Sequence, residues 1–182
     1  MLHTFPTLKT NLLVLREVLA KDAASVFAYL SDEQVVKQMG LAPFQSEADA
    51  LEEIDWYASI RRNGTGIRFG ISLPETDVII GSCGFLNQSD RHQRAELGFE
   101  LNPSYQGQGI AKEAALAVIE YGFKELSLNR IEALVLPENI SSQRLLERLG
   151  FQREGLLRQY EKTRGRFDDL YMYSLLRNEW SF

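Results

Sequence analysis

One stretch limits the fold more than any other. From Ala95 to Leu136 the chain runs through an alternating segment, a loop with two glycines, a long amphipathic segment and a short, almost wholly apolar run. Ala95, Leu97, Phe99 and Leu101 alternate with Glu96, Gly98 and Glu100, the period of a half-buried strand. Ile110 to Leu126 has the helical period: Ala111, Ala115, Val118 and Gly122 form a small-residue stripe, with Ile119, Phe123 and Leu126 beside it. Ile131 to Leu136 is apolar enough for a centrally placed strand. Strand, helix and buried strand in succession imply a layered α/β sheet rather than a helical bundle or an all-β sandwich.

The flanking sequence fills in the layers. Thr10 to Arg16 reads as a strand, Ala20 to Leu30 as a helix and Asp32 to Met39 as a shorter one. Ser46 is placed as a helix N-cap with Asp49 in the capping-box position, opening a helix to about Arg62. Strands are expected over Ile67 to Leu73 and Val78 to Phe85, joined by a Glu75-Thr76-Asp77 hairpin loop. Ser141 to Leu149 reads as a helix closed by Gly150, and Leu156 to Lys162 with Leu170 to Leu176 as a hairpin turning at Thr163 to Arg166. The order predicts a mixed sheet with helices on both faces. Residues 1–182 are read as one domain, without repeat or long linker.

Bulk properties exclude several classes. A net charge of −5 argues against a dedicated nucleic-acid binder. One cysteine, Cys83, forbids an internal disulfide, and two histidines, His3 and His92, give no metal-ligand spacing. Cys83, in an apolar strand without a placed histidine, reads as a buried small hydrophobe. The start of the chain lacks a signal-peptide pattern, and no stretch approaches the ~20 apolar residues of a membrane span. A cytoplasmic protein without membrane, nucleic acid or metal is the expectation.

The chemistry is concentrated in Glu100 to Glu113. A strand ends at Leu101, Gln106-Gly107-Gln108-Gly109 follows, and Ile110-Ala111 open a helix. Free N–H groups at a helix start, glycines that let a ligand approach the backbone, and a small residue at the contact make a phosphate cradle. A plain strand-to-helix turn is the alternative. The loop is not a P-loop, because Lys112 is followed by Glu113, nor a dinucleotide fingerprint, which needs a third glycine. Asn139 and Ser142 open the next helix, either as caps or as site residues.

Gln106-x-x-Gly109-x-Ala111 resembles the acetyl-CoA pyrophosphate signature of the GNAT superfamily. Asn139-x-x-Ser142 and Leu149-Gly150-Phe151 fall where that family has them. The opening Leu8 to Arg16 and the closing Gly165 to Tyr173 are similar to the Rim-type branch, which acetylates N-termini of ribosomal proteins. The resemblance implies a GNAT fold, mostly antiparallel, with the sheet split near Leu101 to Asn102 where acetyl-CoA inserts. It implies N-acetyl transfer from acetyl-CoA, as acyl-donor substrate, to a primary amine, expected to be a protein N-terminus. Phe99, Glu100 and Leu101 would pair with pantetheine through their backbone. Gln106, Gly107, Gln108, Gly109, Ile110 and Ala111 would hold the pyrophosphate, Asn139 would reach the pantetheine, and Arg144 or Arg148 the 3′-phosphate. Ser142 stands where that branch carries a serine for the leaving thiolate, while the tyrosine many members carry is replaced by Leu145 and Leu146. Glu161 matches a proposed base, with Glu100 the other candidate. Homodimers are frequent in the family, although no exposed apolar stripe in this sequence marks an interface.

An N-terminal amine, with a pKa of about 7.7–8.0, is appreciably neutral at pH 7, whereas a lysine amine at about 10.4 is not. A weak base therefore suits the α-amine. Rival readings are acetylation of a small amine (polyamine, antibiotic or amino acid), which predicts a closed acidic pocket, and a non-catalytic acyl-CoA-binding regulatory domain.

Overall fold

The computed structural model describes residues 4–181, so His3 lies outside the described residues. The strands are β1 Leu8–Lys9, β2 Val14–Arg16, β3 Ile67–Ser72, β4 Ile79–Ser89, β5 Arg94–Leu101, β6 Arg130–Val135, β7 Gln152–Thr163 and β8 Arg166–Leu176. The helices are α1 Ala23–Leu30, α2 Glu33–Gln38, α3 Glu47–Arg62, α4 Ile110–Lys124 and α5 Ile140–Arg148. The sheet order is β1-β2-β3-β4-β5-β6-β8-β7. Among the described residues only β5 and β6 pair in parallel, because α4 carries the chain back between them.

The two faces of the sheet carry different cores. Ala95, Leu97, Ile131, Ala133, Tyr173 and Leu175 point to the face covered by α4 and α5 and belong to the larger buried cluster. The other face receives α1, α2 and α3, whose buried residues include Val26, Tyr29, Val36, Ile54 and Tyr57. Pocket walls from β5 to β8 meet α2 and α3 on this second face.

Local rules explain most boundaries. At the start of α3 the Asp49 carboxylate accepts the Gln45 and Ser46 N–H groups at 2.6 and 3.1 Å, as the capping-box reading requires. Asp32 caps α2 by accepting the Gln34 N–H at 2.8 Å. Of the segment expected as one strand from Thr10 to Arg16, Val14–Arg16 forms β2, but residues 10–13 are the turn of a hairpin between β1 and β2. The Thr10 N–H donates to the Leu13 carbonyl at 3.0 Å, which reverses the chain. The expected helix from Ala20 begins with a 3₁₀ turn, Ala20–Asp22, braced by Arg16 on Asp22. The closing hairpin begins at Gln152 rather than Leu156: β7 is an edge strand with exposed side chains, so burial leaves little periodic trace there.

Candidate active site

The opening in the sheet lies deeper than Leu101. Pairing of β5 with β6 ends at Glu96↔Glu132, whereas β5 stays with β4 as far as Gly81↔Leu101 and β6 stays with β8 as far as Val135↔Tyr171. Each strand follows its antiparallel partner, and the accumulated twist prises the short parallel pair apart. The wedge therefore opens at Leu97 and widens towards its mouth beyond Leu101.

Strand alternation fixes what faces the wedge. The Asn102 N–H donates to the Ile80 carbonyl at 2.8 Å, so even-numbered residues of β5 aim their backbone groups at β4. The backbone of Phe99 and Leu101 then faces the gap about 7 Å apart, while the Leu97 N–H closes the last bridge to β6. Glu100 was expected to join this row; its backbone belongs to the β4 ladder and its side chain to another network.

At the mouth, Gly107 and Gly109 have φ of +76° and +81°. A Cβ at either would meet nothing within 4 Å, so the space beside the loop is open. The first-turn amides of α4 have no intrahelical partner, and the helix dipole adds partial positive charge. Gln106 and Gln108 brace the loop through their side chains, donating from Nε2 to the Leu101 and Ser104 carbonyls, each at 3.1 Å. Glu113, in the same turn, is turned away. Its Oε1 accepts the Thr10 hydroxyl at 2.5 Å and the Leu12 N–H at 2.8 Å. These residues fit a pyrophosphate held by backbone N–H groups.

Across the gap, α5 begins directly after β6. The Asn139 Oδ1 accepts the Ser142 N–H at 3.1 Å and the Ser141 hydroxyl at 3.0 Å, so capping is one role of Asn139. Ser142 is half-buried on the wall of a cavity of about 1230 Å³, and its hydroxyl makes no hydrogen bond among the described residues. Arg144, Arg148 and Lys112 line the same cavity near its mouth.

On the α3 side the cavity is acidic. Arg68 on β3 is 4% exposed and bonds Glu100 at 2.5 Å; its Nη1 donates to the Gly98 carbonyl at 2.8 Å. Ser82 bonds both Arg68 and Glu100, and the Tyr57 hydroxyl approaches Glu100 at 3.5 Å. A Cβ on residue 98 would stand 2.8 Å from the guanidinium, so glycine there lets Arg68 reach the strand. Burial pushes the Tyr57 phenol well above its ordinary value, and Glu100 adds to the shift. Glu53 is held above the ordinary carboxylate range by burial and by the Glu100 charge. Glu161 and Asp168 are directly opposed on β7 and β8 and both line the cavity. Glu161 is exposed, and Asp168 is buried and bonded by Thr163 and by Arg166 at 2.8 Å. Trp56 (42% exposed) and Tyr160 (57%) form apolar walls.

The structure thus brings the cradle, Asn139, Ser142 and Glu161 to one cavity. It removes Glu100 as a free carboxylate. Cys83 is fully buried, with its thiol pushed up to about 12 by burial, and His92 is exposed in a turn. Sequence reading missed Arg68, Glu53, Asp168 and Glu96. A charged residue inside an otherwise apolar strand run, as Arg68 is in Ile67 to Leu73, was the available signal.

Residues 13–152 match the acetyltransferase (GNAT) domain family. The chain belongs to the GNAT acetyltransferases. Among curated relatives, an uncharacterized N-acetyltransferase, p20, from Bacillus licheniformis is 45% identical over 175 residues, covering 96% of this chain and 98% of p20. The [ribosomal protein uS5]-alanine N-acetyltransferase of Escherichia coli is 28% identical, covering 96% and 92%. Among solved structures, Mycobacterium smegmatis RimJ in complex with CoA-disulfide superposes with a TM-score of 0.86 at 25% identity, covering 100% and 90%. The spermidine N-acetyltransferase of Vibrio cholerae, in complex with CoA and spermine, gives 0.80 at 25% identity, covering 93% and 98%. The expected fold is borne out, and this chain is a GNAT N-acetyltransferase that uses acetyl-CoA as donor. Among the described residues no helix is long and apolar enough to cross a membrane.

Proposed function

We propose that the acceptor is the α-amine at a protein N-terminus, as in the ribosomal-protein acetyltransferases. The observation that carries this reading is the make-up of the acceptor half of the cavity. Glu53, Glu96 and Glu161 face it, Asp168 beside them is paired with Arg166, and the lining Arg68 is paired with Glu100. Such a surface attracts an ammonium group. Trp56 and Tyr160 offer flat apolar walls to the side chains that follow a peptide's first amine. A polyamine has no such side chains. The E. coli relative named for an alanine N-terminus supports the same choice.

On this reading the donor lies along β5. The Gln106-to-Ala111 loop holds the pyrophosphate through backbone N–H groups. Phe99 and Leu101 pair with the pantetheine amides like an added strand, and Asn139 offers its Nδ2, since Oδ1 is spent on the cap. From Leu101 to Leu97 is about 13 Å along the strand, which brings the thioester to the point of the wedge. The neutral amine attacks the thioester carbonyl, a C–N bond forms, the C–S bond breaks, and the sulfur leaves with the electron pair. Ser142 hydrogen-bonds that sulfur. The β7–β8 hairpin lies beyond the matched stretch 13–152 in all but its first residue yet lines the acceptor half, which supports reading residues 1–182 as one catalytic domain. A ribosomal acceptor would place the work in the cytoplasm.

The test is thiol release from acetyl-CoA with peptides beginning in Ser, Ala or Met beside spermidine and free amino acids, at pH 7 and 9. Turnover with peptides alone supports the reading. Turnover with the small amines alone replaces the acceptor class. Tight acetyl-CoA binding without release to any amine returns the regulatory alternative.

A further inference from the structure

The closing hairpin has two faces of different character, and register fixes both. β7 and β8 pair at Arg153↔Tyr173, Leu156↔Tyr171, Leu157↔Leu170, Glu161↔Asp168 and Lys162↔Phe167. Directly opposed residues share a face. Leu157, Glu161, Asp168 and Leu170 therefore belong to the acceptor side. Arg153, Leu156, Lys162, Phe167 and Tyr171 belong to the reverse side with Tyr173, whose hydroxyl donates to Glu147 of α5 at 3.3 Å. Arg158 follows Leu157, and alternation turns it to the reverse side as well. The helix covers Tyr173 completely, but towards the hairpin tip the cover runs out: Tyr171 is half-buried and Phe167 is 60% exposed.

Charge is sorted between these faces. Glu161 and Asp168 lie on the acceptor side. The acid next to Arg153, Glu154, is held elsewhere, by Arg130 at 2.6 Å and by the Ser174 hydroxyl at 2.7 Å. The carboxylate of Asp169 accepts the Gln159 N–H at 2.7 Å, where the register of β7 shifts. Arg153, Arg158 and Lys162 are exposed and form no ion pair among the described residues. The net charge of −5 that argued against nucleic acid is an average over the chain, and this face departs from it.

The cations lie against rings. The Arg153 guanidinium stands 4.6 Å from the centre of the Tyr171 ring, and the Lys162 ammonium 5.7 Å from that of Phe167. From Phe167 to Tyr173 the strip runs about 20 Å. Charges alone would serve to keep an edge strand from pairing with another chain. That purpose gives no reason to expose Phe167 and Leu156 (45%) among them. Cations interleaved with aromatic rings are what a single-stranded nucleic acid uses, phosphates on the cations and bases on the rings. A bilayer surface draws on contiguous apolar side chains, and here charges separate them.

Resting on the acceptor reading above, we infer that the reverse face of the β7–β8 hairpin docks single-stranded RNA lying beside the acceptor N-terminus. One hairpin then serves one acceptor twice: its acidic side meets the amine, and its basic side meets the polyanion that the amine-bearing protein sits on. Holding the second raises the effective concentration of the first.

The test uses the full chain saturated with acetyl-CoA and a labelled oligouridine of about 12 nucleotides, within the site sizes of single-strand binders. At about 0.15 M salt the expected Kd lies in the range of roughly 10⁻⁴–10⁻⁶ M. The slope of log affinity against log salt should be about −2, from three phosphate contacts. Reversing the three charges together, Arg153→Glu with Arg158→Glu and Lys162→Glu, should abolish binding over the same range. Phe167→Ala should weaken it about fivefold or more through lost stacking. Both variants should keep acetyl-CoA affinity and kcat with a free acceptor within about twofold. Should the triple reversal fail to fold, Lys162→Gln alone should still reduce the salt slope by about 0.7. Absence of wild-type binding, equal binding by the triple variant, or equal affinity for a DNA duplex of the same length would overturn the proposal. Binding that acetyl-CoA displaces would put the RNA in the donor cleft, tighter binding to phosphatidylserine vesicles than to RNA would make the strip a membrane contact, and a dimer that the triple reversal breaks would make it a contact between copies; each of these also overturns it. Peptide silence beside active small amines would sink the acceptor reading, while the RNA titration is read independently of turnover.

Discussion

The donor and acceptor halves of this cavity are built in opposite ways. The cradle at Gln106 to Ala111 is local: a strand end, two glycines at positive φ and a helix start, all within a dozen residues. The acceptor half draws Glu53 from α3, Arg68 from β3, Asn87 from β4, Glu96 from β5, and Glu161 and Asp168 from the last hairpin. A local site uses backbone geometry that the fold supplies at little cost. A dispersed one needs buried charges and a register held across five strands. Damage to the first should change binding and spare stability, and damage to the second should change stability or rate and spare donor binding.

Arg68→Ala tests that contrast most severely. It strands the Glu100 carboxylate in the core, and losing one partner of a buried pair costs about 3–5 kcal/mol. Urea unfolding should show a loss of this size, and a loss under about 1 kcal/mol would mean the network is not structural. Gly109→Glu sits in the other half. Placing bulk and negative charge where φ is +81° should weaken acetyl-CoA binding by 100-fold or more, roughly 2.7 kcal/mol, while stability falls only by the roughly 1–2 kcal/mol of a side chain in the left-handed region. Unchanged affinity by calorimetry would remove the cradle from the donor site. Ser142→Ala should lower kcat about tenfold while donor affinity holds, because in the proposed mechanism the hydroxyl meets only the sulfur. A wild-type rate takes Ser142 out of the mechanism. Glu161→Gln should have the smallest effect, under about threefold in kcat and expressed mainly in the acceptor KM, as expected of an exposed charge.

Legibility followed the same division. The Ser46–Asp49 cap and the helix it opens, the two-glycine loop and the run of strands from Ile67 to Leu101 were readable because each is written in adjacent residues. The turn at Thr10 was not, since it depends on a bond to Leu13 and on Glu113, more than a hundred residues on. Arg68 reads in sequence as a polar interruption of a strand. Its meaning comes from Glu100, Ser82 and the room left by Gly98, none of which can be paired with it before the register is known. Glu96 and Glu100 look alike in the alternation. One marks the point of the wedge and the other lies inside an ion pair, a difference created entirely by where β6 leaves β5.

The Glu113 contact carries a lesson for anyone shortening this protein. Glu113, in the first turn of α4, stands beside the proposed pyrophosphate site, and the turn between β1 and β2 keeps it occupied through Thr10 and Leu12. A version trimmed to begin at Leu13, where the family match begins, would keep the motif intact on paper. On the proposed donor site it would also release an anion beside the pyrophosphate, so the turn that holds Thr10 and Leu12 is an electrostatic guard for a loop a hundred positions away.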